Sequence, residues 1–205
     1  TVPTDWKFFF RNKLAIAIEQ KFELETLYRL EKIIEYYFQD HLISPTPRQI
    51  INHINELAVL WQTWGDSISI ESLSLFSWVR DQLDEDIELL KTEFISQRVQ
   101  NLLGNIEWRR DIASLMYNVD TTHAYQALLS QDIIRLLPKD SESKLKELSK
   151  IKGFHSVLVD VIQTSTEEWA REDAILISNV IDNISLLDFG KHELNVIFSK
   201  ISNTI

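Results

Sequence analysis

Five carboxylates within eight residues form the densest group of possible metal ligands in this sequence. They belong to Asp81, Asp84, Glu85, Asp86 and Glu88. Carboxylate oxygens bind Ca²⁺ and Mg²⁺, but this segment lacks the glycine of an EF-hand turn and the ligand spacing of such a loop. Acidic residues also collect at helix N-termini, where the macrodipole stabilises negative charge. We therefore expect a helix terminus here and no metal site.

The five histidines are scattered, at positions 41, 53, 123, 155 and 192. A zinc site on a helix needs two histidines three or four residues apart on one face. None of the five has such a partner, and His192-Glu193 lacks the second histidine of an H-E-x-x-H motif. We expect ordinary surface or core histidines. A Ser/His/Asp triad stays open, because its members need not be neighbours in sequence, but no pattern favours one.

Glycine and cysteine usage excludes several kinds of chemistry. The chain has four glycines, whose closest spacing is 37 residues, and no cysteine. Phosphate-binding loops, dinucleotide fingerprints and nucleophile elbows each need two glycines within about six positions. The lack of cysteine excludes thiolate catalysis, zinc ribbons and disulfides. The chain has no phosphate-binding loop of its own, and we expect no catalytic residues and no enzyme activity from it alone.

Arg48 stands at an unusual place for a cation. Thr46 and Gln49 have the spacing of a capping box, and Pro47 fits the first turn, so a helix is predicted to begin here. A cation in the first turn opposes the macrodipole by about 0.3–1 kcal/mol, whereas the free N–H groups of that turn attract anions. The pattern indicates either a phosphate opposite Arg48 or a salt bridge to Asp40 or another carboxylate.

The composition of the chain excludes some classes of binding partner. The chain has 205 residues and a formal net charge of −10, with an acidic excess in both halves. Because duplex DNA binding relies on neutralising phosphates, we expect no duplex nucleic acid as a partner. No run of 18 apolar residues occurs, so we expect no transmembrane segment and a cytoplasmic protein. The sequence begins with neither Met nor a signal-peptide pattern, and we expect a fragment of a longer protein.

Helical periodicity runs through almost the whole chain, and no segment alternates like a strand, which predicts an all-α fold. The clearest helix begins after Thr46 and ends at Gly65, which we expect to adopt the left-handed conformation. Ser165 with Glu168 repeats the capping-box spacing and predicts another helix start. Residues 84–103 are predicted to form one continuous helix.

These helices predict a multi-helix bundle in two parts. Residues 1–65 would form one helical subdomain, beginning with a helix capped by Thr4. Residues 66–205 would form a C-terminal helical domain, in which short helices after residue 104 pair as stacked hairpins. The polar residues 138–152 are the only linker-like stretch.

Several segments together resemble a known family. They are VPTDWKFFFRNKL, TPRQIINHINELAVLW, IASLMYNVDTTHAYQALL and KELSKIKGFHSVL. They are similar to the region C-terminal to the nucleotide-binding core in KAP-type P-loop NTPases, bacterial relatives of the AAA-like and STAND ATPases. The resemblance covers most of the chain, and TPRQI-x-x-x-INEL is its most specific element.

The resemblance implies a function. Residues 1–65 would be the helical lid, and Arg48 would reach the γ-phosphate of ATP, with Asn52 and Asn55 on the same helix. An upstream core would be the partner and would supply the ATP and Mg²⁺ sites, and some members of the family act in antiphage defence. The alternatives are a nucleotide-independent protein-interaction module and an autonomous all-α enzyme.

Overall fold

A computed structural model of the protein describes residues 6–39, 44–104, 106–139 and 141–204. These residues form eleven α-helices and one short 3₁₀ helix with no strand among them, which confirms the all-α prediction. The 3₁₀ helix is Ile87–Lys91. The α-helices are α1 (Trp6–Ile18), α2 (Leu24–Gln39), α3 (Pro47–Trp64), α4 (Ile70–Glu85), α5 (Gln97–Leu103), α6 (Trp108–Tyr117), α7 (Ala124–Leu136), α8 (Glu142–Leu148), α9 (Phe154–Glu172), α10 (Ala174–Ser185) and α11 (Lys191–Thr204). The predicted caps and partners Thr4, Asp40 and His41 lie outside the described residues.

The chain divides into two compact units, Thr1–Thr121 and Thr122–Ile205. The boundary predicted near Gly65 falls inside the first unit, where α3 packs against both α1 and α4. The assignment of residues 1–65 as a functional subdomain stays a prediction. No helix in the described ranges is both long and apolar enough to cross a membrane.

Helix α4 is at the centre of the first unit. It packs against α2, α3, α6 and the 3₁₀ helix. Residues 70–76 are all buried, so the helix is enclosed around its whole circumference over these two turns. Glu71, Ser72 and Ser74 are among these seven residues, and buried polar groups are costly unless they form hydrogen bonds. Hydrogen-bond partners of these polar side chains form part of the candidate site described below.

Helix α9 has the same role in the second unit, where it packs against α7, α10 and α11. It begins after Gly153, whose φ of 90° favours glycine. The side-chain amide of Asn183 donates to the carbonyl oxygens of Leu137 and Lys139 at 2.8 and 2.6 Å. These bonds hold the end of α7 and the following residues against α10.

The start of α3 agrees with its prediction, but its end differs. The Thr46 hydroxyl accepts from the Gln49 backbone N–H at 3.3 Å, and the Gln49 side chain accepts from the Thr46 N–H at 2.9 Å. Gly65 was predicted to be left-handed, and this is wrong, because its φ and ψ are −60° and −20°. Glycine is needed there for space, since a Cβ would lie 2.7 Å from the ring and the carbonyl oxygen of Trp61.

The single helix predicted for residues 84–103 is also wrong. Helix α4 ends first, the 3₁₀ helix follows, and residues 92–96 lead into α5. The Arg109 guanidinium donates to the carbonyl oxygens of Leu90 and Thr92, both at 3.0 Å. Arg109 is distant in sequence from these two carbonyl groups and supplies their hydrogen bonds. In a continuous helix, backbone N–H groups of the same helix would have done so.

The predicted helix start at Ser165 is wrong, because this residue is buried inside α9. The break comes later, at Asp173, whose carboxylate accepts from the Ile175 backbone N–H at 2.9 Å and caps α10. The linker-like stretch 138–152 contains α8, which buries Leu145 in the second unit. A short buried apolar face was thus enough to order a mainly polar segment.

Candidate functional site

Arg48 lies in the first turn of α3, where the sequence predicted it. Its side chain is exposed, and it forms no hydrogen bond or ion pair with any residue that the structure describes. The alternative partner Asp40 is outside those residues. Thr46 and Pro47 begin the helix as expected, and the capping box uses the Gln49 N–H, so the backbone N–H of Arg48 itself is the one left without a partner among the described residues of this turn. This is an arrangement that can receive an anion from outside the chain.

The outward face of α3 continues from Arg48 along the helix. Seven exposed positions form it: Arg48, Ile51, Asn52, Asn55, Val59, Gln62 and Thr63. Asn52 and Asn55 are therefore on the same face as Arg48. No carboxylate stands among these positions, although the chain as a whole carries a net charge of −10. Arg48 is the only charged group on this face.

The inward face of α3 carries a buried histidine. His53 is 5% exposed, and its two ring nitrogens bond to α4. Nε2 lies 3.1 Å from the Ser74 hydroxyl, and Nδ1 lies 2.8 Å from the Ser77 hydroxyl. The Ser77 hydroxyl also donates to the Ser74 carbonyl oxygen at 3.0 Å. The two bonds of the His53 ring join α3 to α4, and the third lies within α4.

The hydrogen-bond directions favour one tautomer of His53. If Ser77 donates to the Ser74 carbonyl, its oxygen must accept from Nδ1–H, and Nε2 then accepts from the Ser74 hydroxyl. This arrangement satisfies every donor of the three side chains. Burial lowers the pKa of His53 to about 4, so the ring is neutral at pH 7.

An aromatic stack continues from His53 into α2. The Trp78 ring stacks on His53 with centroids 4.9 Å apart, and Tyr37 stacks on Trp78 at 5.3 Å. Phe38 meets Trp78 edge-on at 5.3 Å. Burial, with the nearby Tyr36, raises the pKa of Tyr37 above its ordinary value. The Trp78 Nε1 is buried and has no hydrogen-bond partner among the described residues.

Carboxylates around this core are paired with charged or hydroxyl groups, although Glu56 Oε1 forms an ion pair without hydrogen-bond geometry. Glu56 on α3 pairs with Arg80 on α4 at 2.8 Å, and burial raises the pKa of Glu56 although Arg80 opposes the shift. On α4, Ser72 donates to Asp111 at 2.7 Å, and this 2% exposed carboxylate also accepts from Arg110 at 2.8 Å. These groups are engaged in holding helices together and are not arranged around an opening.

The acidic segment 81–88 spans two helix ends: Asp81, Asp84 and Glu85 lie at the C-terminal end of α4, contrary to the expected N-terminal position, and only Asp86 and Glu88 lie at a helix start. The Asp86 carboxylate accepts from the Glu88 backbone N–H at 3.0 Å and caps the 3₁₀ helix. Glu88 pairs with Lys91 at 2.7 Å. In the part of the chain that the structure describes, no three His, Asp or Glu side chains form a group that could hold a metal ion.

The sequence predicted no specific role for His53. This residue stands between Ile50 and Leu57 on the apolar face of the best-defined helix. That position could have predicted burial. The partners Ser74 and Ser77 were not predictable, because they belong to another helix whose packing against α3 is a tertiary contact.

No family model, curated protein or solved structure matches the chain. The likeness to KAP-type NTPases therefore stays a prediction carried by the four sequence segments quoted above.

Proposed function

We propose that this chain is the helical lid and regulatory region of a larger KAP-like P-loop ATPase, whose catalytic core lies outside it. The observation that carries the proposal is Arg48: an exposed cation without a partner among the described residues, at the N-terminus of α3. The chain gains no helix stability from a cation at that position. A phosphate supplied by a neighbouring core would give the guanidinium a function, and the backbone N–H of Arg48 would bind the same charge.

In this proposal Arg48 contacts the γ-phosphate of ATP, and α3 carries the signal. The capping box at Thr46 fixes the start of the helix, so a movement of its N-terminus moves the whole helix. His53 and Trp78 then connect α3 to α4, the central helix of the first unit. Loss of the γ-phosphate would release Arg48 and shift the position of this pair of helices. ATP and Mg²⁺ would be held by the core, and the assembly would act in the cytoplasm, with antiphage defence as its proposed setting.

The test is made in the full-length protein that contains this chain and its upstream core. Arg48→Ala should lower the kcat for ATP hydrolysis at least about tenfold, as expected when one charged contact to a transferring phosphoryl group is removed. Arg48→Lys should recover part of the rate, because it restores the charge without the planar fork. Arg171→Ala, at another exposed arginine on α9, is the matched control. Hydrolysis that is unchanged in Arg48→Ala would exclude the sensor role.

A second candidate is a protein-interaction module with no nucleotide role. Four large apolar side chains of the second unit favour it, because they are exposed on α10 and α11 or just after α10: Ile175, Ile181, Leu186 and Val196. Large exposed apolar side chains are candidate contacts for a partner. In this case Ile175→Ser with Ile181→Ser should abolish partner binding in the absence of nucleotide, and Arg48→Ala should leave it intact. The opposite pattern would favour the lid.

A further inference from the structure

The outward face of α3 is symmetric about Asn55, which lies near its middle. Ile51 and Val59 are exposed four residues before and after this asparagine, and both are branched aliphatic residues. Arg48 and Gln62 are exposed seven residues before and after it, and both have long side chains that donate hydrogen bonds. At 3.6 residues per turn, steps of four and seven residues keep all five side chains on one side of the helix. The face therefore has a similar order of side chains in both directions along the helix.

This symmetry suits contact with a second copy of the same face. In a twofold dimer both copies use the same surface, so each contact occurs twice with the two residues exchanged. If two α3 helices lie antiparallel with Asn55 at the twofold axis, Ile51 of each copy lies beside Val59 of the other. Asn55 then meets Asn55 of the second copy, and its carboxamide can both donate to and accept from an identical group. At each end, Arg48 can donate to the side-chain oxygen of Gln62.

The charge of the face also favours a second copy. Each chain carries a net charge of −10, so two copies repel one another over most approaches. The seven exposed positions of this face include no carboxylate. The acidic residue of α3, Glu56, is half-buried and pairs with Arg80 at 2.8 Å. Two copies can therefore meet on this face without placing carboxylates opposite each other, which would oppose association.

The apolar side chains on the face set the strength of such a contact. Val59 is 65% exposed and Ile51 is 40% exposed, and covering both of them in both copies is the favourable contribution. A helix of 18 residues is about 27 Å long. One pair of such helices buries less than the roughly 1,200–2,000 Å² of stable complexes. We therefore expect a weak dimer, with a dissociation constant of about 10–100 μM.

We propose that the outward face of α3 binds a second copy of this chain, as an antiparallel twofold pair of α3 helices with Asn55 at the axis. This pairing goes beyond the role proposed for Arg48, because it uses Ile51, Asn55 and Val59 and places Arg48 at the two ends of the pair. It requires neither nucleotide nor the upstream core. A result for the pairing therefore leaves the ATPase role to its own test.

The experiment is sedimentation equilibrium of the chain without nucleotide, over concentrations of about 5–500 μM. We expect a monomer–dimer equilibrium, and Val59→Glu should weaken it at least about tenfold, because a carboxylate would lie against the aliphatic side chain of Ile51. Ile175→Glu is the matched control: it makes the same kind of change in the second unit, at a side chain that is 64% exposed, and should leave the dissociation constant unchanged. Far-UV circular dichroism checks that both variants keep the helical fold. A chain that stays monomeric throughout, a dimer that Val59→Glu does not weaken, or equal weakening by both variants would overturn the proposal.

A double variant tests the antiparallel arrangement. Ile51→Lys alone should also weaken the dimer at least about tenfold. When it is combined with Val59→Glu in one chain, each new ammonium lies beside a new carboxylate of the other copy, so the double variant should associate at least about fivefold more tightly than either single variant. A parallel pair would instead place like charges together. A double variant that associates no more tightly than the single variants would therefore contradict the antiparallel pair.

Discussion

The imidazole of His53 lies on the indole of Trp78, with ring centroids 4.9 Å apart and planes inclined by 28°. The same imidazole uses both of its nitrogens on the Ser74 and Ser77 hydroxyls of α4. One side chain therefore supplies stacking and two hydrogen bonds to the contact between α3 and α4. Since Arg48 lies in the first turn of α3, this contact fixes the helix that would respond to an anion at its N-terminus.

The buried His53 should make stability depend on pH. Its pKa is about 4 in the folded state and near 6.5 when unfolded, so the unfolded chain binds more protons between these values. The free energy of unfolding should therefore fall as the pH is lowered from about 6.5 to 4, by about 3 kcal/mol from this group at most. Urea unfolding at several pH values across this range measures the slope.

Asp and Glu carboxylates also titrate in this pH range. A variant without the His53 ring is therefore needed to isolate its contribution to the pH dependence of stability. His53→Gln removes the titrating ring, and its slope should be smaller than that of the natural chain by up to about 1.4 kcal/mol per pH unit. His123→Gln, at an exposed histidine, should keep the full slope. Equal slopes in the natural chain and His53→Gln would show that His53 is not buried in its neutral form.

Trp78 should tolerate loss of its N–H group but not loss of its ring. Its Nε1 has no partner within the described residues, whereas the ring contacts His53, Tyr37 and Phe38. Trp78→Phe should therefore cost less than about 1.5 kcal/mol, because the stack is largely kept. Trp78→Ala should cost about 3 kcal/mol. Chemical unfolding of the two variants checks this, and equal losses would indicate that a missed hydrogen bond holds the indole.

Local patterns predicted the helical fold and the start of α3 because the signals lie within a few residues of each other. The capping box needs only Thr46 and Gln49, and the structure forms both of its bonds. The same spacing misled at Ser165 and Glu168, because residues three apart are also neighbours inside a continuous helix. In the structure, α9 has buried residues both before and after Ser165, so the helix continues through this position and does not begin there.

Features that depend on distant residues were not predictable from local patterns. The break after the 3₁₀ helix is held by Arg109, which follows Thr92 by 17 residues. The partners of His53 are more than 20 residues away along the chain. The exposure of Arg48 was predictable, since a charged residue opposite an apolar helical face points to solvent. The absence of an ion pair between Arg48 and any described residue could be seen only in the structure.

Gly65 should not accept a side chain, although its backbone has ordinary helical angles. A Cβ at this position would lie 2.7 Å from the Trp61 ring, so Gly65→Ala must displace the indole. We expect a loss of about 1–3 kcal/mol in the free energy of unfolding. Gly190→Ala is the control, because its nearest contact would be 3.4 Å from the flexible end of Glu193. Thermal unfolding that gives equal results for the two variants would contradict the close approach.

Arg48 should contribute nothing to the stability of the chain alone. A cation in the first turn of a helix opposes the macrodipole, and no described residue compensates it. Arg48→Ala should therefore leave the free energy of unfolding unchanged or raise it by up to about 1 kcal/mol, and Arg48→Glu should raise it further. Urea unfolding at low ionic strength, where the macrodipole is least screened, is the measurement.

The contrast with Arg11 makes this prediction specific. Arg11 pairs with Glu31, a carboxylate that is only 2% exposed, so Arg11→Ala should leave a buried charge unpaired and cost about 1–3 kcal/mol. If Arg48→Ala is as destabilising as Arg11→Ala, Arg48 has a structural partner inside the chain, and its place at the N-terminus of α3 needs no phosphate to explain it. If Arg48→Ala is neutral in the chain alone and also lowers ATP hydrolysis in the full-length protein, the arginine serves a charge that comes from outside.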